Sequence, residues 1–198
     1  MKMNKNKNIG LYFGTFNPIH IGHLIIANHL AEFTELDEVW LVITPQNPFK
    51  KNKRLLPDYH RYQMVDIALE EYKNIKPSKA EFDMPRPNYT SKTLLQLEES
   101  YTDVDFNLII GEDNLASFNK WKNFEHILKN YKLYVCPRIS SKEISEEFRH
   151  HENITWTETP IINISSTYIR KCVSENKNFK PLLHYGVWKY IDEMNFYK

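Results

Sequence analysis

The sequence predicts an α/β protein: a mostly parallel sheet covered by helices on both faces, in a single domain spanning residues 1–198. Two observations carry that expectation. Short apolar runs ending at glycine or proline alternate with longer segments whose apolar residues recur at helical spacing, the pattern of successive βαβ units. The chain has 198 residues and no internal repeat, low-complexity tract or linker, enough for one full core and too few for two ordinary domains. At this size folding buries roughly 70% of the surface of the unfolded chain, so stability needs no metal or disulfide staple.

Taken in order, the run at 9–13 (IGLYF) closes at Gly14 and reads as a buried strand. Past the turn residues Asn17 and Pro18, the segment 20–33 carries Leu24, Ala27, Leu30 and Ala31 at helical spacing. A second strand at 39–44 (VWLVIT) is stopped by Pro45, and the following PQNPFKKNKRLLP is too rich in Pro, Asn and Lys for a core element. Asp58 is expected to cap a helix reaching Tyr72, with Met64, Val65, Ala68 and Leu69 on one face. Residues 76–82 read as a weak strand and MPRPNY as a loop, after which Thr90 or Ser91 caps a helix to about Tyr101. The run 106–110 (FNLII) is a strand ending at Gly111, and 115–128 is helical with a break near Trp121. A strand at 131–135, a weak strand near 154–157 and two closing helices complete the chain. Gly14, Pro45 and Gly111 fall just past the carboxyl ends of strands, which is where open parallel sheets take their ligands.

Composition narrows the function. Lys and Arg total 26 against 25 Asp and Glu, a net charge of +1. That balance argues against a dedicated duplex-DNA binder while leaving room for a local phosphate-holding patch. Cys136 and Cys172 fit no metal spacing and suit a reducing compartment. The opening MKMNKNKN is basic, but the apolar stretch after it is too short for a signal peptide, and no run approaches a membrane span. A soluble, cytoplasmic protein is expected. Only 5 glycines occur, where average usage gives about 14. A sequence so sparing with glycine places it where a side chain would obstruct something.

The segment GTFNPIHIGHL, Gly14 to Leu24, is the strongest signal. A strand-to-helix turn exposes backbone N–H groups, and the helix dipole adds partial positive charge. Gly14 lets the backbone approach a phosphate and Thr15 adds a hydroxyl. His20 and His23, three apart, lie on one helix face, with Gly22 leaving the space above that face open. Zinc would need further Cys or His ligands that no spacing supplies. Two imidazoles beside a row of N–H donors make a polyphosphate site.

His20-Ile21-Gly22-His23 resembles the HxGH signature of the nucleotidyltransferase superfamily. With the preceding Gly14-Thr15-Phe16-Asn17-Pro18, the segment resembles bacterial nicotinate and nicotinamide mononucleotide adenylyltransferases. The resemblance implies a Rossmann-like, doubly wound fold. That family usually opens this loop with two glycines; here the first position is Phe13, whose ring must keep out of the phosphate path.

ISSTYIR, residues 164–170, repeats the anion-binding logic near the other end of the chain. Ser165, Ser166 or Thr167 can cap a helix, and Arg170 sits one turn on, able to fork two hydrogen bonds to phosphate oxygens. The segment matches the family's I-S-S-T-x-[IV]-R motif at each defined position. Pro87-Asn88-Tyr89-Thr90 with Thr93-Leu94 resembles the family's P-S-Y-T-x-D-T-L, with Asn88 and Lys92 departing from it. Gly111-Glu112-Asp113-Asn114-Leu115, then Trp121, resembles its G-x-D-x-[LF] followed by tryptophan.

The resemblance implies transfer of the adenylyl group of ATP to nicotinate mononucleotide, giving deamido-NAD and pyrophosphate in NAD biosynthesis. ATP would be the co-substrate, with Mg²⁺ accompanying it and no metal-ligand set in the chain itself. His20, His23, Lys50 and Arg170 are then the catalytic residues. Gly14, Thr15, Phe16, Asp113, Ser165 and Ser166 join the two histidines and Arg170 around ATP. Asn17, Lys50, Tyr89, Thr90 and Trp121 face the mononucleotide, with Trp121 stacking on the pyridine ring and Thr90 opening a helix toward its carboxylate. Nicotinamide mononucleotide and phosphopantetheine stay open as acceptors, as does a homo-oligomer. A nucleotide sensor or nucleic-acid-binding module is the non-enzymatic alternative, and no membrane partner is expected.

Overall fold

Six parallel strands form one sheet in the order β3-β2-β1-β4-β5-β6 in the computed structural model, which describes residues 6–49, 55–139 and 143–198. The strands are β1 (Lys7–Gly14), β2 (Glu38–Ile43), β3 (Ile75–Ser78), β4 (Val104–Gly111), β5 (Leu133–Cys136) and β6 (Ile154–Trp156). All five pairings are parallel. The chain winds outward from β1 in one direction through β2 and β3, then crosses back to β4 and winds the other way. The switch point therefore lies between β1 and β4, with a crevice at their carboxyl ends.

Side-chain alternation along the strands divides the core in two. Ile9, Leu11 and Phe13 of β1 point to one face, with Val42 of β2 and Phe106, Leu108 and Ile110 of β4. There they meet α3 (Thr90–Ser100) through Leu94 and Leu97, and α5 (Phe124–Asn130) through Ile127 and Leu128. Tyr12, Leu41, Ile43 and Ile109 point to the other face. They pack on α1 (Ile21–Phe33), α2 (Asp58–Ala68), α7 (Ser166–Ser174) and α8 (Tyr185–Glu193). Helices on both faces give the doubly wound α/β fold that the alternation of periods predicts. Among the described residues, no helix is long and apolar enough to cross a membrane.

Several boundaries differ from the sequence reading for local reasons. β3 stops at Ser78; Pro77 is tolerated within it because β3 is an edge strand. The expected helix at 115–128 is three pieces: α4 (Glu112–Leu115), a 3-10 turn (Phe118–Lys120) and α5. Asn123, in the left-handed region at φ 57°, resets the chain direction before α5. Asp58 does not cap α2: Pro57 holds that position, and the Asp58 carboxylate pairs with Arg61 and Arg86. Thr90 likewise begins α3, with Tyr89 in the cap position and no side-chain cap bond. A short α6 (Glu146–Arg149), capped by Ser145, precedes β6.

Candidate active site

The crevice at the switch point is a two-lobed cleft. The larger lobe, of about 720 Å³, is lined by Thr15, His20, His23, Arg138, Ser165, Ser166 and Arg170, among others. The smaller, of about 500 Å³, is lined by Tyr89, Thr90, Glu81, Lys120, Trp121 and Lys122, among others. Phe13, Gly14, Thr15, Asp113 and Trp121 belong to both walls, so the two lobes are one continuous site.

The loop after β1 is built around aromatic packing. Phe16 sits at φ 42°, a left-handed conformation that costs a bulky residue of order 1–3 kcal/mol. Its ring, only 1% exposed, offsets that cost by packing edge-on against Tyr12 at 6.0 Å and His23 at 5.1 Å between centroids. A Cβ on Gly14 would lie 2.7 Å from the Phe16 ring. Gly14 thus makes room for Phe16, a reason that the phosphate reading missed, and the buried Phe16 ring forms part of the floor of the larger lobe. Phe13 packs against the α3/α5 half of the core and also borders both lobes.

His20 and His23 are stacked, with centroids 3.7 Å apart and planes at 22°. The His20 backbone N–H donates to His23 Nδ1 at 3.2 Å, which leaves Nε2 to carry the proton in the neutral His23 ring. Burial, reinforced by the Arg138 guanidinium, pushes the His20 imidazole down to about 4, so it is neutral at physiological pH. Gly22 does not open space above the pair; a Cβ there would stand 3.1 Å from both His20 Nδ1 and Ile162 Cγ2. Its role is to let the His20 ring and Ile162 close in.

The two anion-binding segments converge. Ser165 caps α7 by accepting from the Tyr168 N–H at 3.2 Å. Ser166 Oγ donates to the Pro18 carbonyl at 2.8 Å, and Arg170 Nη1 donates to the Asn17 carbonyl at 2.7 Å. Its Nη2 donates to Thr167 Oγ1 at 3.2 Å, so both arms of the expected guanidinium fork hold protein groups and fix Arg170 on the cleft wall, each Nη keeping one further N–H. Asn17 itself is 1% exposed. Its Oδ1 accepts from the Leu56 N–H and from the Tyr197 hydroxyl, so its side chain ties the loop down rather than facing the cleft.

Tyr89, Thr90 and Trp121 do come together, in the smaller lobe. Trp121 also packs on Phe118 at 5.3 Å, so it serves core and cleft at once. Asp113 is exposed on the shared wall, its carboxylate above Gly111, where a Cβ would lie 2.5 Å from Oδ1. Lys50, together with the rest of 50–54, lies outside the described residues.

Three further residues organise the site. Arg61, 0% exposed, donates from Nη1 to the carbonyls of Thr15 at 2.6 Å and Thr44 at 3.0 Å. Its Nε reaches the Leu56 carbonyl at 3.1 Å and its Nη2 pairs with Asp58, joining the ends of β1 and β2 to α2. Its signal was its register: 61, 64, 65 and 68 share the buried face of α2. Asn88 exchanges hydrogen bonds with Gln46 and donates to the Glu81 carbonyl, holding the loop that presents Tyr89. Arg138, beyond the end of β5, lies on the larger lobe and donates toward Ile162 O at 3.4 Å.

Residues 11–172 match the cytidylyltransferase-like family. Over 193 residues, 98% of this chain and 100% of the relative, the sequence is 58% identical to the probable nicotinate-nucleotide adenylyltransferase of Christiangramia forsetii. The probable nicotinate-nucleotide adenylyltransferase of Flavobacterium psychrophilum is 55% identical over 190 residues, 96% of this chain and 98% of the relative. The chain belongs to the nicotinate-nucleotide adenylyltransferase family. Its fold is shared with Plasmodium falciparum nicotinic acid mononucleotide adenylyltransferase complexed with NaAD, at a TM-score of 0.80 and 21% identity over 96% of this chain and 97% of that one. For a nicotinate-nucleotide adenylyltransferase, the arrangement is chemically coherent. Three arginines, Arg86, Arg138 and Arg170, border the larger lobe, and two lysines border the smaller. Positively lined clefts of this kind concentrate anionic substrates.

Proposed function

We propose that the protein transfers the adenylyl group of ATP to the 5′-phosphate of nicotinate mononucleotide, releasing pyrophosphate and deamido-NAD, with residues 1–198 acting as one domain in the cytoplasm. The supporting observation is the seam joining Ser166 to Pro18 and Arg170 to Asn17, which sets the HIGH helix and the ISST helix on one cleft. In this reading the larger lobe takes ATP and the smaller takes the mononucleotide.

The acceptor phosphate is already an anionic nucleophile, so the chemistry asks for alignment and charge stabilisation rather than a general base. The 5′-phosphate oxygen attacks Pα, and the Pα–O bond to the β-phosphate breaks. The His23 Nε2–H donates to the phosphoryl oxygens where charge develops. His20, held neutral by burial, keeps the stack in place and donates without adding a charge. The remaining guanidinium N–H groups of Arg170 and the N–H groups at the start of α7 take the outer phosphates, and Lys50 follows the charge leaving with pyrophosphate. Trp121 stacks on the pyridine, and the first turn of α3 at Thr90 receives its carboxylate.

Among the described residues no group of three or more His, Cys, Asp or Glu gathers to hold a metal. Mg²⁺ carried on the triphosphate would keep its waters and take phosphate oxygens with one or two carboxylates. Asp113, on the wall shared by both lobes, is the carboxylate that would hold it. Bound there, Mg²⁺ would neutralise charge on the phosphate oxygens.

The test supplies ATP and Mg²⁺ with nicotinate mononucleotide, nicotinamide mononucleotide or phosphopantetheine separately and measures pyrophosphate release. Release is expected with the nicotinate compound above the other two. No release with either pyridine mononucleotide overturns the assignment.

A further inference from the structure

The last residues of the chain reach the loop that opens the cleft. Beyond α8, Asn195 and Tyr197 both adopt left-handed backbone, at φ 54° and 66°, and the Phe196 N–H returns to the Ile191 carbonyl at 3.0 Å. Such a conformation is unfavourable for a tyrosine and persists where surrounding contacts over-determine it. Here they do. Phe196 packs on His60 at 4.8 Å and on Tyr190 at 5.7 Å between centroids. These contacts aim the Tyr197 hydroxyl at Asn17 Oδ1, 2.8 Å away and 180 positions earlier in the sequence.

Asn17 is a node. Its Oδ1 also accepts from the Leu56 N–H, and its carbonyl accepts from Arg170. It stands two residues after Thr15 and three before His20, both on the wall of the larger lobe. A buried amide oxygen with two donors has a fixed orientation, whereas one that loses the stronger donor is left partly unsatisfied.

We infer that Tyr197 is a positioning residue for the ATP lobe, acting through Asn17 to hold the 14–20 loop in the shape that meets the triphosphate. The inference rests on the assignment of ATP to the larger lobe. It predicts an effect that falls mainly on one substrate, because Phe16 and His20 of this loop border the larger lobe alone while Tyr89 and Thr90 border only the smaller.

The test compares full-length wild type, Tyr197→Phe, Asn17→Ala and the double variant. For Tyr197→Phe the expected result is a rise in KM for ATP of about tenfold, the scale of one lost hydrogen bond, with KM for nicotinate mononucleotide within twofold. In the Asn17→Ala background the same change should add less than twofold. A purely structural role would lower Tm and leave both KM values of the folded enzyme where they were. An unchanged KM for ATP, an equal rise in both KM values, or a full tenfold effect on top of Asn17→Ala overturns the inference. Should Asn17→Ala fail to fold, amide hydrogen exchange across 14–20 in Tyr197→Phe decides: faster exchange is expected, and unchanged exchange overturns it. That measurement needs no turnover, so an inactive wild type would count against the proposed reaction and leave the tethering separately decided.

Discussion

Replacing Arg61 with methionine should be among the most damaging single changes outside the cleft wall. The guanidinium is fully buried and makes four contacts: the carbonyls of Thr15, Thr44 and Leu56, and the Asp58 carboxylate. Methionine fills similar volume, so the cavity contribution is small. What is lost is the pairing of three carbonyls and one carboxylate. Breaking a buried ion pair from one side costs about 3–5 kcal/mol. Asp58 retains Arg86 at 2.6 Å, which places the expectation near the middle, about 4 kcal/mol. For a chain of this size each kcal/mol moves Tm by about 2–4 °C, so Arg61→Met should unfold roughly 8–16 °C below wild type. Thermal unfolding followed by circular dichroism measures it. Arg61→Lys keeps the charge but offers three donors for four acceptors, leaving one orphan at about 1–3 kcal/mol and an intermediate Tm. A Tm for Arg61→Met within 4 °C of wild type would refute the view that this residue staples β1, β2 and α2 together.

Three other outcomes are expected. His23→Ala should lower kcat by about 10²–10³-fold, the scale for one transition-state donor; near-full turnover at saturating ATP would reject the donor role. His20 has its folded value pushed below its unfolded value of 6.5 to about 4, so its contribution to stability is present above pH 6.5 and is lost as pH falls toward 4. The gap is worth about 3 kcal/mol, and the wild-type-minus-His20→Gln difference in unfolding free energy should shrink by that amount across the window; a difference that does not change with pH contradicts it. Glu81 is shifted the other way, raised by burial against the lowering from Thr93 and Thr44, so its contribution is lost as pH rises. Glu81→Gln should therefore gain Tm relative to wild type from pH 4 to pH 8, and a constant offset would argue against a strained carboxyl.

What the sequence revealed and what it hid follow from the range of the forces involved. The strands of the sheet were legible because apolar runs and their Gly or Pro stops are local, down to the edge strand β3 with its proline. The convergence of GTFNP and ISSTYIR was legible only through motif resemblance, since nothing local in either segment states that Ser166 will meet Pro18. Arg61 was hidden by its type: an arginine inside an amphipathic helix reads as solvated, although its register on the Met64–Val65 face showed otherwise. Tyr197 was hidden by its place, because no periodicity reaches across 180 positions. Asn17 was read as a mononucleotide contact and proves to be a buried tie, the expected fate of an amide in a loop whose backbone must be held from three sides.

The glycines show how the same composition can be read more sharply. Each of the five would bring an added Cβ within 3.1 Å of a neighbouring side chain, as close as 2.5 Å at Gly111 and Gly186. None has positive φ. Among the described residues, the left-handed positions are held instead by Asn123, Asn176 and Asn195, and by Phe16 and Tyr197. Asparagine tolerates that conformation, so in this chain glycine is reserved for close approach and asparagine turns the backbone. The two aromatic exceptions have no such tolerance. Both occur where a ring must be delivered to the loop after β1, Phe16 beneath it and Tyr197 against its side, which places the strained backbone of this protein around the segment that positions its histidines.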